Sequence, residues 1–245
     1  MKIEISAHAR LGIFLLVFLF VLWIAGLAVE PSNVPARQSA IPLVVSSKEI
    51  VRGDTTRKQV IFTFDGGDGI TSADGILAAL VRHHVKGTFF LTGKFLASHP
   101  EIVKSIIASG HEIFNHTLDH PHLTELSDTE IVDELGSMEN ALQMMVGSSS
   151  KPYFRPPYGD RDERVLVAAA KAGYRGVYWT VDALDWEEPN GQMASDVEGR
   201  ILSNLAPGNI YLMHLGDSIT GQILDDVFTK IEAQGYHIVS LTQGI

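Results

Sequence analysis

His116 and His120 stand four residues apart in His116-Thr117-Leu118-Asp119-His120, a spacing that lets two imidazoles on one helical turn grip a single cation. Each ring would rest its second nitrogen on a neighbour, with Thr117 and Asp119 the nearest partners, while His122 reads as surface. The chain has no cysteine, so any metal must be held by His, Asp or Glu. Four further groups carry reactive side chains. Asp65 ends an apolar run and is followed by Gly66-Gly67-Asp68-Gly69, which leaves a ligand room beside the backbone. In Phe154-Arg155-Pro156-Pro157-Tyr158-Gly159, tandem prolines stiffen the chain and aim both Arg155 and the Tyr158 amide. A guanidinium so fixed orients a neighbouring carboxylate. Asp182, Asp185 and Trp186 leave the next apolar segment together, and indole faces stack well on sugar rings; Trp179 reads as core. Finally, Tyr211-Leu212-Met213 is an apolar run that ends on His214, which alone would pass for a satisfied core histidine.

These groups need strands to deliver them. Strand patterns fall at 60–64, 87–91, 112–115, 153–155, 176–181, 210–214 and 237–241. Helical patterns alternate with them at 72–83, 95–108, 129–145, 161–172, 194–205 and 221–234. Ser127 and Glu130 form a capping box ahead of Ile131, Leu135, Met138, Leu142 and Met145, which share one helical face. Alternation of this kind implies βα units and a parallel sheet, hence an α/β protein. Asp65, His116, Arg155, Asp182, Asp185 and His214 each follow a strand, at the ends where a parallel barrel gathers its functional residues. No dinucleotide-type glycine fingerprint follows the first strand, which favours a barrel over a doubly wound sheet.

The body of the chain, 48–245, suits one such domain. Net charge is −10, from 19 Lys and Arg against 29 Asp and Glu, which excludes a nucleic-acid partner because duplex binding needs a basic face. No protein partner is evident. Ahead of the body, residues 11–29 form an uncharged apolar run of 19 residues. As a helix it spans roughly 28 Å, about the thickness of a bilayer core. Segment 1–29 is therefore expected to be a single-pass transmembrane helix, with Lys2 and Arg10 keeping the N-terminus inside and the body outside. Cleavage after Gly26-Leu27-Ala28, giving a secreted form, is the alternative. Residues 30–47, rich in Pro and Ser, read as a linker.

Taken together and in order, the five motifs resemble the polysaccharide deacetylase family (carbohydrate esterase family 4, the NodB-homology domain). The family pattern TFDDG, HTxxH, RxPYG, DxxDW and LxH stands here as TFDGG, HTLDH, RPPYG, DALDW and LMH, from about Val60 to the C-terminus. The resemblance implies a distorted (β/α) barrel of about seven βα units with one divalent metal ion, usually Zn²⁺, at its mouth. It implies a hydrolase that removes N-acetyl groups from an envelope glycan, peptidoglycan or chitin-like, and releases acetate. His116 and His120 would bind the metal, Asp65 would be the general base and Arg155 its holder. His214 would be the general acid, oriented by Asp185 or else Asp182. Trp186 would wall the acetyl pocket, and the Tyr158 N–H would help to hold the oxyanion. One departure stands out: the family's second Asp, its third metal ligand, is Gly66 here. Asp68, two residues on, is the expected substitute, with Asp65 or water as alternatives. The departure also leaves room for a non-catalytic carbohydrate-binding barrel, and an O-acetyl esterase is a further alternative. Retention of Asp65, Arg155, Asp185 and His214 favours the hydrolase.

Overall fold

Strand β1 (Gln59–Gly66) alternates its side chains between two environments, and that alternation organises the domain. Val60, Phe62 and Phe64 face the helices and join the largest apolar core, whereas Ile61 packs in a second core with Phe90, Phe114 and Ile210 on the concave side. Thr63 and Asp65 share the side of Ile61 by the two-residue period of a strand. Around β1 the computed structural model, which describes residues 46–67 and 69–245, builds an eight-stranded sheet. The other strands are β2 (Thr88–Leu91), β3 (Glu112–Asn115), β4 (Tyr153–Phe154), β5 (Arg175–Gly176), β6 (Val181–Asp182), β7 (Ile210–His214) and β8 (His237–Val239). Their order is β5-β4-β3-β2-β1-β7-β6, with β8 beside the start of β1, and every pairing is parallel.

The helices that return the chain are α1 (Ala73–Arg82), α2 (Gly93–Ser98), α3 (Pro100–Ala108), α4 (Asp128–Val146), α5 (Glu163–Lys171), α6 (Ala194–Ser203) and α7 (Ile219–Ala233). Helix α4 begins at the predicted capping box, with Ser127 Oγ accepting from the Glu130 N–H and Glu130 accepting from the Ser127 N–H. Two predicted elements differ. The single helix over 95–108 is two, because Pro100 cannot donate within a helix and instead starts α3 after a break at His99. The strand over 176–181 is split into the two-residue strands β5 and β6, which lie at opposite ends of the sheet order. The four residues 177–180 carry the chain from one end of the sheet order to the other, with the Val177 N–H donating to the Phe154 carbonyl and the Thr180 N–H to the Ile210 carbonyl, and the parallel strands form a half-barrel where a distorted barrel was expected. Residue Ile50 covers that edge, pairing with Val177 and exchanging hydrogen bonds with Gly176 and Tyr178. The predicted membrane segment 1–29, most of the linker 30–47 and Asp68 lie outside the described residues. Among the described residues no helix is long and apolar enough to cross a membrane.

Helices α1 and α7 touch backbone to backbone where Gly75 meets Gly221. A Cβ on Gly75 would stand 2.4 Å from the Gly221 carbonyl oxygen. Alanine at that position would gain about 1 kcal/mol of helix propensity. The clash is against backbone and cannot be relieved by a rotamer, and overpacking of this kind costs about 1–3 kcal/mol. Gly75→Ala is therefore expected to lower the midpoint of denaturant unfolding, and an unchanged or raised midpoint would show that the helices separate freely.

Candidate active site

Parallel register brings the chemistry to one end of the sheet. Asp65 on β1 lies opposite His214 on β7, and Asn115, the last residue of β3, lies opposite Phe154 of β4. One residue further along each chain, His116 and Arg155 emerge together. Asp65, His116, His120, Tyr158, Trp186 and His214 line one cavity of about 410 Å³, together with Trp179 and Asp182.

Arg155 is wholly buried, and its Nη1 donates to Asp65 Oδ1 at 2.6 Å and to Thr63 Oγ1 at 2.8 Å. Its guanidinium lies over the Phe90 ring at 4.2 Å. The first carboxylate oxygen of Asp65 is thereby committed, and the second faces His116 Nε2 at 3.5 Å.

The histidine pair is delivered by a loop, not by the predicted helical turn. Thr117 and His120 have φ of 69° and 62°, which no α-helix contains. His116 Nδ1 donates to the Arg155 carbonyl at 2.8 Å, so neither Thr117 nor Asp119 is its partner. Thr117 Oγ1 instead accepts from the His120 N–H, and Asp119 lies beside Lys94. With Nδ1 carrying the proton, His116 turns a bare Nε2 towards His120 Nε2, 3.1 Å away. Burial is the main reason both rings stay neutral: it lowers His116, and with help from His116 it pulls His120 down to about 4.

These facing nitrogens fit a divalent cation. Two ligands each about 2.0–2.1 Å from a shared ion would stand roughly 3 Å apart. Among the described residues no three His, Asp or Glu side chains group tightly enough for a metal, and Asp68, the expected third ligand, lies outside them. At Gly66 a Cβ would meet the side-chain ends of Leu91 at 2.6 Å, Leu215 at 2.9 Å and Phe95 at 3.0 Å, so a side chain there requires those flexible groups to shift.

Across the cavity, His214 Nδ1 donates to Asp185 Oδ1 at 2.8 Å, and the His214 N–H donates to Asp185 Oδ2 at 2.7 Å. Thr220 Oγ1 and the Trp186 N–H complete the set around that buried carboxylate. Burial disfavours the imidazolium of His214, but the hydrogen bond and charge of Asp185 outweigh it and push the group up to about 9. His214 thus stands on the cavity wall with its ring satisfied by a buried carboxylate.

Asp182 does not orient His214. It accepts from Trp186 Nε1 at 3.3 Å and so holds the indole at the rim, where Trp186 is 46% exposed. Trp179, expected in the core, is partly buried against the concave-side core, stacks on Tyr178 and also lines the cavity. The Tyr158 ring, 62% exposed at a φ of 58°, stands edge-on to His120 and stacks on His122 at 4.2 Å. That stack gives His122 a place at the rim that its position in the sequence did not signal. A second cleft of about 310 Å³ continues beyond His214 and Trp186 towards Asp217.

Comparison with known proteins agrees with this geometry. Residues 52–177 match the model of the polysaccharide deacetylase family. The peptidoglycan-N-acetylmuramic acid deacetylase PdaA of Bacillus subtilis is 34% identical over 189 residues, covering 77% of this chain and 72% of the relative. A peptidoglycan-N-acetylglucosamine deacetylase of Bacillus cereus is 34% identical over 193 residues, 77% of this chain and 69% of its own. The structure of PdaA, a family 4 carbohydrate esterase, superposes with a TM-score of 0.77 at 33% identity, over 80% of this chain and 84% of that one. A family 4 pseudoenzyme from Bacillus anthracis superposes with a TM-score of 0.76 at 31% identity, over 81% of this chain and 69% of that one. The chain belongs to the polysaccharide deacetylase family, the family 4 carbohydrate esterases.

Proposed function

We propose that the protein removes N-acetyl groups from the amino sugars of peptidoglycan, outside the cytoplasm and with the help of a divalent metal ion. The observation that carries this reading is the pairing of Asp65 with Arg155 on one side of the histidine pair and of His214 with Asp185 on the other. A base and an acid in fixed positions on one cavity serve a hydrolysis and have no use in passive binding. The peptidoglycan deacetylases among the relatives support the choice of glycan.

His116 and His120 would hold the cation, which when bound polarises the amide carbonyl and lowers the pKa of water from 15.7 towards about 7. The residues do the rest. Asp65 takes a proton from water through the oxygen that Arg155 leaves open. The water oxygen joins the acetyl carbon, and the Tyr158 backbone N–H helps to hold the oxyanion. His214, whose Nδ1 is committed to Asp185, delivers a proton from Nε2 to the departing nitrogen. The C–N bond breaks, leaving acetate and a free amine. Trp179, Trp186 and Tyr158 present aromatic faces to the sugar.

Acetate release from peptidoglycan fragments tests the reaction, and a chelator is expected to abolish it. His214→Ala is expected to lose about 10²–10⁴-fold on the amide. An activated aryl acetate, whose leaving group needs no proton, should lose far less, and equal losses would remove His214 from the acid role. Glycan binding without any acetate release from metal-replete protein would favour the non-catalytic reading that the pseudoenzyme relative and Gly66 invite.

The pH profile carries a sign. His214 is raised, so its proton is present at neutral pH and is lost as pH climbs through the raised value of about 9. Asp185→Asn removes the charge that opposes burial, and the imidazole falls back towards or below about 6.5. The alkaline limb of kcat/KM in Asp185→Asn should therefore lie at lower pH than in the parent, and an unmoved limb would detach Asp185 from His214.

Location is tested by fractionation. With 11–29 as an anchor, the full chain is expected in the membrane fraction, and protease should reach its body from outside once any outer envelope is opened. A soluble form beginning after Ala28 would establish a cleaved signal instead.

A further inference from the structure

The loop carrying His116 and His120 is saturated with hydrogen bonds. Its N–H groups donate in turn to the Leu91 carbonyl from His116, to Asn115 Oδ1 from Thr117, and to Thr117 Oγ1 from His120. Its carbonyls at Thr117 and Leu118 accept from the Gly93 and Lys94 N–H groups, and that of Asp119 accepts from Lys94 Nζ. The two central N–H groups, of Leu118 and Asp119, both donate to one oxygen, Oε2 of Glu134, at 3.0 Å each. Glu134 comes from the middle of α4, a different element, and is the one carboxylate that these two amides have. The loop it grips contains two non-glycine residues with positive φ, one of them the β-branched Thr117. Such a conformation persists only where the surroundings over-determine it.

We propose that Glu134 is a positioning residue for the His116 and His120 pair, acting through the Leu118 and Asp119 amides and touching neither imidazole. Without it, the crest of the loop has two uncapped N–H groups and relaxes out of the left-handed region, and the 3.1 Å approach of the two Nε2 atoms is lost. Charge is not what the loop needs. An acceptor oxygen at that point is, because a planar carboxamide offers the same lone pairs to two converging amides. This rests on the reading of the histidine pair as a cation site, and the test separates the two.

The test uses the full chain and three variants, Glu134→Ala, Glu134→Gln and Glu130→Ala. The last removes the capping-box partner at the start of the same helix without touching the loop, and so controls for simple loss of stability. Zinc affinity is measured by competition with a chromophoric chelator, and amide hydrogen exchange at Leu118 and Asp119 is followed in metal-free protein. Glu134→Ala is expected to weaken zinc about 10-fold or more, as loss of a ligand's supporting partner does, and to unprotect both amides. Glu134→Gln should restore both readouts to within a few-fold, and Glu130→Ala should leave them unchanged. Parent-like zinc affinity and protection in Glu134→Ala, or the same losses in Glu130→Ala, would overturn the proposal. A parent protein that takes up no zinc would sink the cation site alone, and the exchange data would then decide the role of Glu134.

Discussion

The buried contact between Arg155 and Asp65 is the constraint on which the rest of the site depends. A guanidinium with no exposure and a carboxylate nearly as buried can be tolerated only together. Removing one member of such a pair strands the other at a cost of about 3–5 kcal/mol. The pair spans the sheet from β1 to the end of β4, and the same arginine performs two further tasks with its backbone. Its N–H donates to the Asn115 carbonyl, which ties β4 to β3, and its carbonyl accepts from His116 Nδ1. One residue thus orients Asp65, ties β4 to β3 beneath the loop of the histidine pair and selects the tautomer of a histidine.

From that anchor the pleat of β1 apportions everything else. Residues with the parity of Thr63 and Asp65 meet Arg155 on the concave side, while those with the parity of Phe62 and Phe64 enter the helix-side core. Gly66 inherits the second parity, and the space before its Cα is already filled by Leu91, Leu215 and Phe95. A Cβ there would press on the ends of those three side chains, which rotation can move, so the missing carboxylate is a change of residue type that the packing does not by itself forbid.

The sequence exposed these features unevenly. Strands 112–115 and 210–214 were legible to the residue, because short apolar runs ending on a polar side chain are marked at both ends. The reactive residues were legible through five motifs, each recognisable within a few consecutive positions. What stayed hidden was whatever depends on contacts between distant segments. Residues 176–181 look like one strand, and only the geometry of the sheet's two edges divides them. Trp179 packs against the core as its type suggests, but that it also lines the cavity follows only from the fold. Glu134 sits on α4 among other acids, with nothing local to distinguish it from a solvated face. Its significance arises from a loop 15 residues earlier that bends back to meet it.

The three histidines of the cavity show how one enclosure produces opposite behaviour from identical side chains. All are withdrawn from water, and burial alone would keep each of them neutral. His116 places its Nδ1–H on a carbonyl, a dipole too weak to retain a second proton, and Arg155 offsets the pull that Asp65 would exert. His214 places its Nδ1–H on a buried carboxylate that already draws on Thr220 and two backbone amides, so that carboxylate stays charged and the imidazolium is favoured. On the proposed reading this divides the labour at neutral pH, with bare nitrogens offered to a cation on one side of the cavity and a proton donor on the other. Exchanging the two partners would reverse it, protonating the ring proposed to hold the cation and stripping the ring proposed to protonate the leaving amine.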